Sequence, residues 1–168
     1  MSEERALFLF VTGAGTCVQV PALLRALLTH GYTVYSVLTP NVAQVTTPAT
    51  LMAVPGNHWI HSYGQQPLER YPFGTLLVAP CTFNTFNKLA LGLADNLATA
   101  MIADGLGAGC RVVIAPAMNR GLWAHPQTAA SAARLSAWGC TIVPPQITGE
   151  QVTMARVETI IDVVMSAR

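Results

Sequence analysis

Five short apolar runs alternate with amphipathic segments along the chain, and glycine- or proline-bearing loops separate them. That alternation, the shortness of the joints and the lack of any internal repeat or linker predict an α/β fold. The expectation is a single Rossmann-like (flavodoxin-like) three-layer α/β/α domain over residues 1–168, with a parallel sheet covered on both faces by right-handed crossovers.

Each element has its own signature. "ALFLFVTGAG" reads as strand one running into a glycine loop, and "VPALLRALLTHG" as a helix stopped by Gly31. "YTVYSVLTP" is strand two, and "TPATLMAVPG" a short helix closed by its proline–glycine pair. "GTLLVAP" has the length and composition of a buried strand three. After it, Phe86, Leu89, Ala90, Leu93, Leu97 and Met101 recur at three- and four-residue spacings, which predicts one long helix over 85–104. "CRVVIAPAMN" is strand four, "HPQTAASAARLSAWG" a helix ending at Gly139, "CTIVPP" strand five, and "VETIIDVVMSA" the closing helix.

Composition narrows the function. With 168 residues the chain holds one full core, and it is too short for two ordinary domains. Hydrophobic residues make up 52%, yet no apolar run reaches the roughly 18 residues of a membrane span. "MSEERALFLF" lacks the basic flank and cleavage site of a signal peptide, which argues for a cytoplasmic protein. Charged residues supply only 10%, and one lysine and eight arginines are scattered without a basic stripe, so nucleic acid is not an expected partner. A chain so poor in charge is expected to hide surface in a homo-oligomer. Cys17, Cys81, Cys110 and Cys140 show no C-x-x-C spacing; Cys110 and Cys140 precede strands and read as small buried hydrophobes, and no metal site is expected.

Three loops follow strand ends and line one edge of the predicted sheet, the edge at which open parallel sheets bind ligands. In "VTGAGTCVQVP", Gly13 and Gly15 allow a tight turn, Thr12 and Thr16 add hydroxyl donors, and the next helix aims its amino end at the loop, a setting that suits a phosphate. An ordinary strand-to-helix turn would carry the same letters, since the third glycine of the dinucleotide fingerprint is missing. In "PCTFNTFN", Thr82, Asn84 and Thr85 offer hydroxyl and amide partners and Phe83 a flat apolar face, a combination suited to a ligand with a polyol and a ring system. One such residue commonly just caps a helix. In "APAMNRGLWAHP", Asn119 stands beyond the strand end, where its amide can hold a carboxylate.

These stretches are also recognisable. "PCTFNTFNKLALGLADNLAT" resembles the P-A-S-A-N segment of the homo-oligomeric flavin-containing cysteine decarboxylases, and "PAMNRGLWAHP" resembles that family's P-x-M-N-x-x-M-W motif, with Leu122 in place of methionine. "VTGAGTCVQVPALLRALLTHGYTVYSVLTPNV" is similar to its N-terminal FMN-phosphate loop, helix and second strand, and "TPATLMAVPGNHWIHS" to the next segment. The match covers roughly residues 6 to 145, with two distinctive motifs in the right order. The family includes phosphopantothenoylcysteine decarboxylases and decarboxylases of the C-terminal cysteine of lantibiotic-type precursor peptides.

The resemblance implies FMN bound between subunits of a homo-oligomer, a trimer or a dodecamer of trimers. Gly13, Ala14 and Gly15 would cradle the phosphate, Thr39 and Asn41 would lie near the flavin, Thr82, Phe83, Asn84 and Thr85 would contact it, Ala117 would sit close by, and Asn119 would hold the substrate carboxylate. It further implies that the flavin oxidises the cysteine side chain to a thioaldehyde, which then accepts the electron pair released with carbon dioxide.

Two departures refine the reading. Counted back from Pro80, the family's catalytic histidine falls on Gln66, and an amide is no general base at neutral pH. His61 is the nearest imidazole, although a solvated loop histidine has the same appearance. The region "PPQITGEQVTMARVETI" lacks the clamp cysteine with which phosphopantothenoylcysteine decarboxylases reduce their intermediate. The favoured expectation is therefore FMN-dependent oxidative decarboxylation of a peptide's C-terminal cysteine to an enethiol. A phosphopantothenoylcysteine decarboxylase of coenzyme A biosynthesis comes second. A non-catalytic FMN-binding subunit is the alternative from another class.

Overall fold

The structure is a computed structural model that describes residues 5–63, 65 and 68–166. Six parallel strands form the sheet: β1 (Ala6–Val11), β2 (Thr33–Leu38), β3 (His58–Trp59), β4 (Thr75–Cys81), β5 (Arg111–Pro116) and β6 (Thr141–Ile142). Their order is β3-β2-β1-β4-β5-β6, so the direction of winding reverses between β1 and β4. At such a reversal the loops leaving adjacent strands diverge and open a crevice at the carboxyl edge.

The expected Rossmann-like α/β/α domain is therefore the observed fold. Side chains of β1 alternate strictly between two cores. Leu7, Leu9 and Val11 join Leu77, Ala79, Val113 and Ala115 under α1 (Val20–Thr29) and α7 (Val157–Met165). Phe8 and Phe10 join Leu76, Val78, Val112 and Ile114 on the opposite face, under α4 (Leu97–Gly107) and α6 (Pro126–Ala137). All five of these β1 residues are fully buried, which is why the strand reads as an unbroken apolar run. A short α2 (Pro48–Met52) precedes β3. At the foot of the sheet Arg111 donates to the carbonyls of Val163 and Val164, at 2.5 and 2.7 Å, and so closes the carboxyl end of α7.

The long helix expected over 85–104 is two helices. The first, α3 (Phe83–Leu91), ends at Gly92, whose φ of 70° is left-handed, and Leu93 N–H reaches back to Lys88 O at 2.9 Å. Asn96 then starts α4 with a reciprocal cap, its Oδ1 accepting from Thr99 N while Thr99 Oγ1 accepts from Asn96 N. Apolar periodicity runs through both pieces and hides the break. The physical consequence is a division of labour within the β4–β5 crossover: its α4 part packs on the sheet, whereas its α3 part packs chiefly on α6.

Two other elements exceed the expectation. The strand β3 is only two residues long, and a small antiparallel hairpin, β7 (Gln146–Thr148) and β8 (Gln151–Thr153), follows β6. Its two-residue turn, Gly149–Glu150 between short alternating runs, is a hairpin signal present in the letters. Among the described residues no helix is long and apolar enough to cross a membrane.

Replacing Gly92 isolates the cost of the helix break, because a Cβ there would meet nothing within 4 Å. Gly92→Ala is expected to lower stability by about 1 kcal/mol through the left-handed backbone alone. Urea unfolding should show a lower midpoint with an unchanged slope.

Candidate functional site

A cavity of about 850 Å³ opens at the carboxyl edge of the sheet, near the upper end of the roughly 300–1,000 Å³ usual for small-molecule sites. Most of its walls come from segments that follow a strand. The β1 loop contributes Gly13 to Thr16, the β2 loop Thr39 to Asn41, the β4 loop Thr82 to Thr85, the β5 loop Ala117 to Arg120, and the hairpin Glu150 to Thr153. All ten positions expected to contact the cofactor line this one cavity, and so does Asn119.

The β1 and β4 loops are joined by one side chain. Thr12, buried at 1% exposure, donates its hydroxyl to Pro80 O at 2.7 Å and accepts from Thr82 N–H at 2.9 Å. Cys17 packs beneath the same loop, its Sγ donating to Thr12 O at 3.1 Å. Burial pushes the Cys17 and Cys81 thiols above their ordinary range and the Cys140 thiol to about 11. No cysteine is among the residues lining the cavity, and Cys110 is half-buried rather than buried.

The two glycines of the first loop do different work. A Cβ on Gly13 would stand 2.5 Å from the backbone oxygen of Asn41, so this glycine lets the β1 loop press against the β2 loop. A Cβ on Gly15 would meet nothing within 4 Å; it would project where a ligand can sit. Beside it, Thr16 Oγ1 is buried without a hydrogen-bond partner among the described residues. A buried hydroxyl in that state is costly unless something accepts or donates there. The loop thus has the hydroxyl and the open backbone face that suit a phosphate oxygen.

On the other side, Asn119 caps α5 (Arg120–Trp123) by accepting Leu122 N–H on Oδ1 at 2.9 Å. That bond assigns the amide orientation and turns the two Nδ2 hydrogens into the available donors. The loop is braced from α6: His125 N–H donates to Leu122 O at 3.2 Å, Thr128 Oγ1 donates to the same oxygen at 2.6 Å, and the His125 ring meets Phe83 edge-on with centroids 5.4 Å apart. Phe83, Met118 and Leu122 make this side of the cavity apolar.

His61 is not brought into the cavity of its own chain. It lies exposed after β3 with its ring 4.1 Å from that of Trp59, and its N–H donates to Gln65 Oε1 at 2.8 Å. Gln66 lies outside the described residues.

The sequence reading missed Lys88, Asp95, Asn96, Arg120 and the hairpin residues Glu150 to Thr153, all of which line the cavity. The first three arrive through the break at Gly92. On a continuous helix Lys88 and Asp95 would sit two turns apart, about 10 Å along the axis; here Nζ and Oδ2 are 2.5 Å apart. The hydrogen bond from Lys88 holds the Asp95 carboxyl below its ordinary range.

The same fold recurs in characterised proteins. The peptidyl-cysteine decarboxylase EpiD superposes with a TM-score of 0.80 over 96% of this chain and 98% of its own, at 21% identity. The FMN-dependent cysteine decarboxylase SpaF matches with a TM-score of 0.75 over 97% of both chains, at 25% identity. The phosphopantothenoylcysteine decarboxylase of Mus musculus is 39% identical over 92 residues, 51% of this chain and 45% of that protein. The chain spans less than half the length of the first curated relatives it matches. The model of the family described as Flavoprotein matches residues 1–168, the whole sheet together with every loop of the cavity, and the chain belongs to that family.

Proposed function

We propose that the protein is an FMN-dependent oxidative decarboxylase acting on the C-terminal cysteine of a peptide and releasing an enethiol. The observation that carries the reading is the convergence, on one cavity, of the open Gly15–Thr16 cradle and the outward amide of Asn119. When bound, FMN supplies the two-electron oxidation of the substrate CH₂–SH to a thioaldehyde.

The chain's own residues bind and orient. Gly13, Ala14 and Gly15 present backbone to the phosphate, with Thr16 Oγ1 as a donor of the right type. Thr39, Asn41, Thr82, Phe83, Asn84, Thr85 and Ala117, which line the cavity, would hold the rest of the flavin. Asn119 Nδ2 holds the substrate carboxylate, and the apolar wall of Phe83, Met118 and Leu122 keeps water from the reacting carbon. Assembly as a homo-oligomer, a trimer or a dodecamer of trimers, would complete the site and cover exposed apolar side chains such as Val18 and Ile147. Activation of the thiol falls to the flavin's own field, to His61 or to the substrate, with Gln66 as a positioning group. The missing clamp cysteine supports a reaction that stops at the enethiol and disfavours phosphopantothenoylcysteine as substrate.

Protein purified with FMN supplied should be yellow. Gly15→Val should keep the wild-type melting temperature yet lose retained flavin, because its side chain fills the cradle. Gly13→Val should instead lower stability, because it strikes the Asn41 backbone. Colourless wild-type protein would end the flavin reading.

With a cysteine-terminated peptide, mass spectrometry should record the joint loss of carbon dioxide and two hydrogens. Asn119→Ala should reduce kcat/KM by about 10- to 150-fold, the worth of a charge-assisted hydrogen bond of about 1.5–3 kcal/mol, while flavin stays bound. His61→Ala should be more damaging than Gln66→Ala. Bound flavin without turnover of any cysteine-terminated substrate would favour the binding-subunit alternative.

A further inference from the structure

Four charged side chains line the cavity among the described residues, and they form two opposite pairs. Lys88 Nζ meets Asp95 Oδ2 at 2.5 Å, and Asn96 Nδ2 donates to the other Asp95 oxygen at 3.2 Å. Arg120 Nη1 donates to Gly149 O at 2.5 Å, and its Nε lies 3.6 Å from Glu150 Oε2 at the tip of the hairpin. Each cation is therefore matched by an acid of the same cavity, although a cavity built only to capture a carboxylate would leave its cations free.

The chemistry of carbon dioxide loss explains the difference. When the Cα–carboxylate bond of the thioaldehyde breaks, its electron pair forms the new Cα=Cβ double bond and the π pair of the C=S bond moves onto sulfur. Carbon dioxide departs neutral, and the negative charge that began on the carboxylate ends on sulfur. A full positive charge held against the carboxylate stabilises the state before this step more than the transition state, so it tightens binding and slows reaction. A neutral amide holds the carboxylate with less of that penalty. Arg120 directly follows Asn119 in the chain, so it is the cation whose compensation matters most.

We infer that Glu150 neutralises Arg120 so that the reacting carboxylate rests on the neutral donor Asn119, and that the Arg120–Glu150 pair sets the balance between substrate affinity and the rate of carbon dioxide loss. The inference rests on the decarboxylase reading of the same cavity. Arg120 and Glu150 are positioning residues in this scheme, acting through the field at the carboxylate. The competing account is mechanical: the pair only latches the hairpin to α5.

The two accounts separate in the FMN-loaded full chain. Glu150→Gln should lower KM and kcat together, each by about threefold, the range of an exposed ion pair. Arg120→Gln leaves Glu150 uncompensated and should raise KM by a similar factor. The double variant Glu150→Gln/Arg120→Gln should return KM and kcat to near wild type, although it has no latch at all. Binding supplies the second arm, with the dissociation constants of a cysteine-terminated peptide and of its C-terminal amide measured for all four proteins. Glu150→Gln should tighten the carboxylate form about threefold and leave the amide form unchanged. If the single variants shift in the same direction, if the double variant is the weakest of all, or if carboxylate and amide move together, the inference is overturned while the decarboxylase reading stands. If the wild type turns over no such peptide, that reading fails, and the binding arm still decides whether the pair tunes affinity for a carboxylate.

Discussion

A single buried hydroxyl ties together the loops that leave the two central strands on which the site is built. Thr12 Oγ1 gives its proton to Pro80 O and receives that of Thr82 N–H, while Thr12 N–H makes a second bond to Pro80 O at 3.2 Å. β1 and β4 are the strands between which the winding reverses, so their loops would otherwise spread apart. With the hydroxyl in place, the glycine loop has a fixed floor and Thr82 is held where it caps α3 by accepting Thr85 N–H at 3.5 Å. The position of the glycine loop relative to the apolar wall of Phe83 is therefore a property of the sheet, transmitted through one threonine.

A second constraint is the scarcity of charge. Only 10% of residues are charged, and among the described residues lining the cavity the charges occur as matched pairs. Recognition then has to rest on neutral donors aimed by secondary structure: backbone of a glycine loop, threonine hydroxyls, and an asparagine whose orientation is assigned by its own capping bond. Such donors are already ordered before a ligand arrives, which lowers the entropy lost on binding.

Much of this was legible in the letters. Strands buried on both faces must be apolar throughout, so β1, β4 and β5 announce themselves, and the loops after them carry the polar residues that line the cavity. What stayed hidden depended on contacts between distant segments. Lys88 and Asp95 share the apolar periodicity of a continuous helix, and only the left-handed turn at Gly92 brings them together. Gly13 reads as a residue that lets the loop turn tightly; its lack of a side chain also accommodates Asn41 from another loop. Arg120 reads as an unremarkable loop residue until the hairpin folds back on it. The Gly149–Glu150 turn was visible, but its destination over the cavity was not.

The break at Gly92 also separates two jobs that a continuous helix would have fused. α3 stands on α6 through Ser131 Oγ to Asn87 Oδ1 at 2.6 Å and Arg134 Nη1 to Ala90 O at 3.2 Å, while α4 carries the rest of the crossover against the sheet. The cavity-facing residues of α3, Phe83, Asn84 and Lys88, are more exposed than Phe86, Leu89 and Ala90, which pack into the core with Phe8 and Phe10. The rim of the cavity supplied by α3, α5 and the hairpin can therefore change shape at its exposed side chains while the parallel ladder beneath keeps its register.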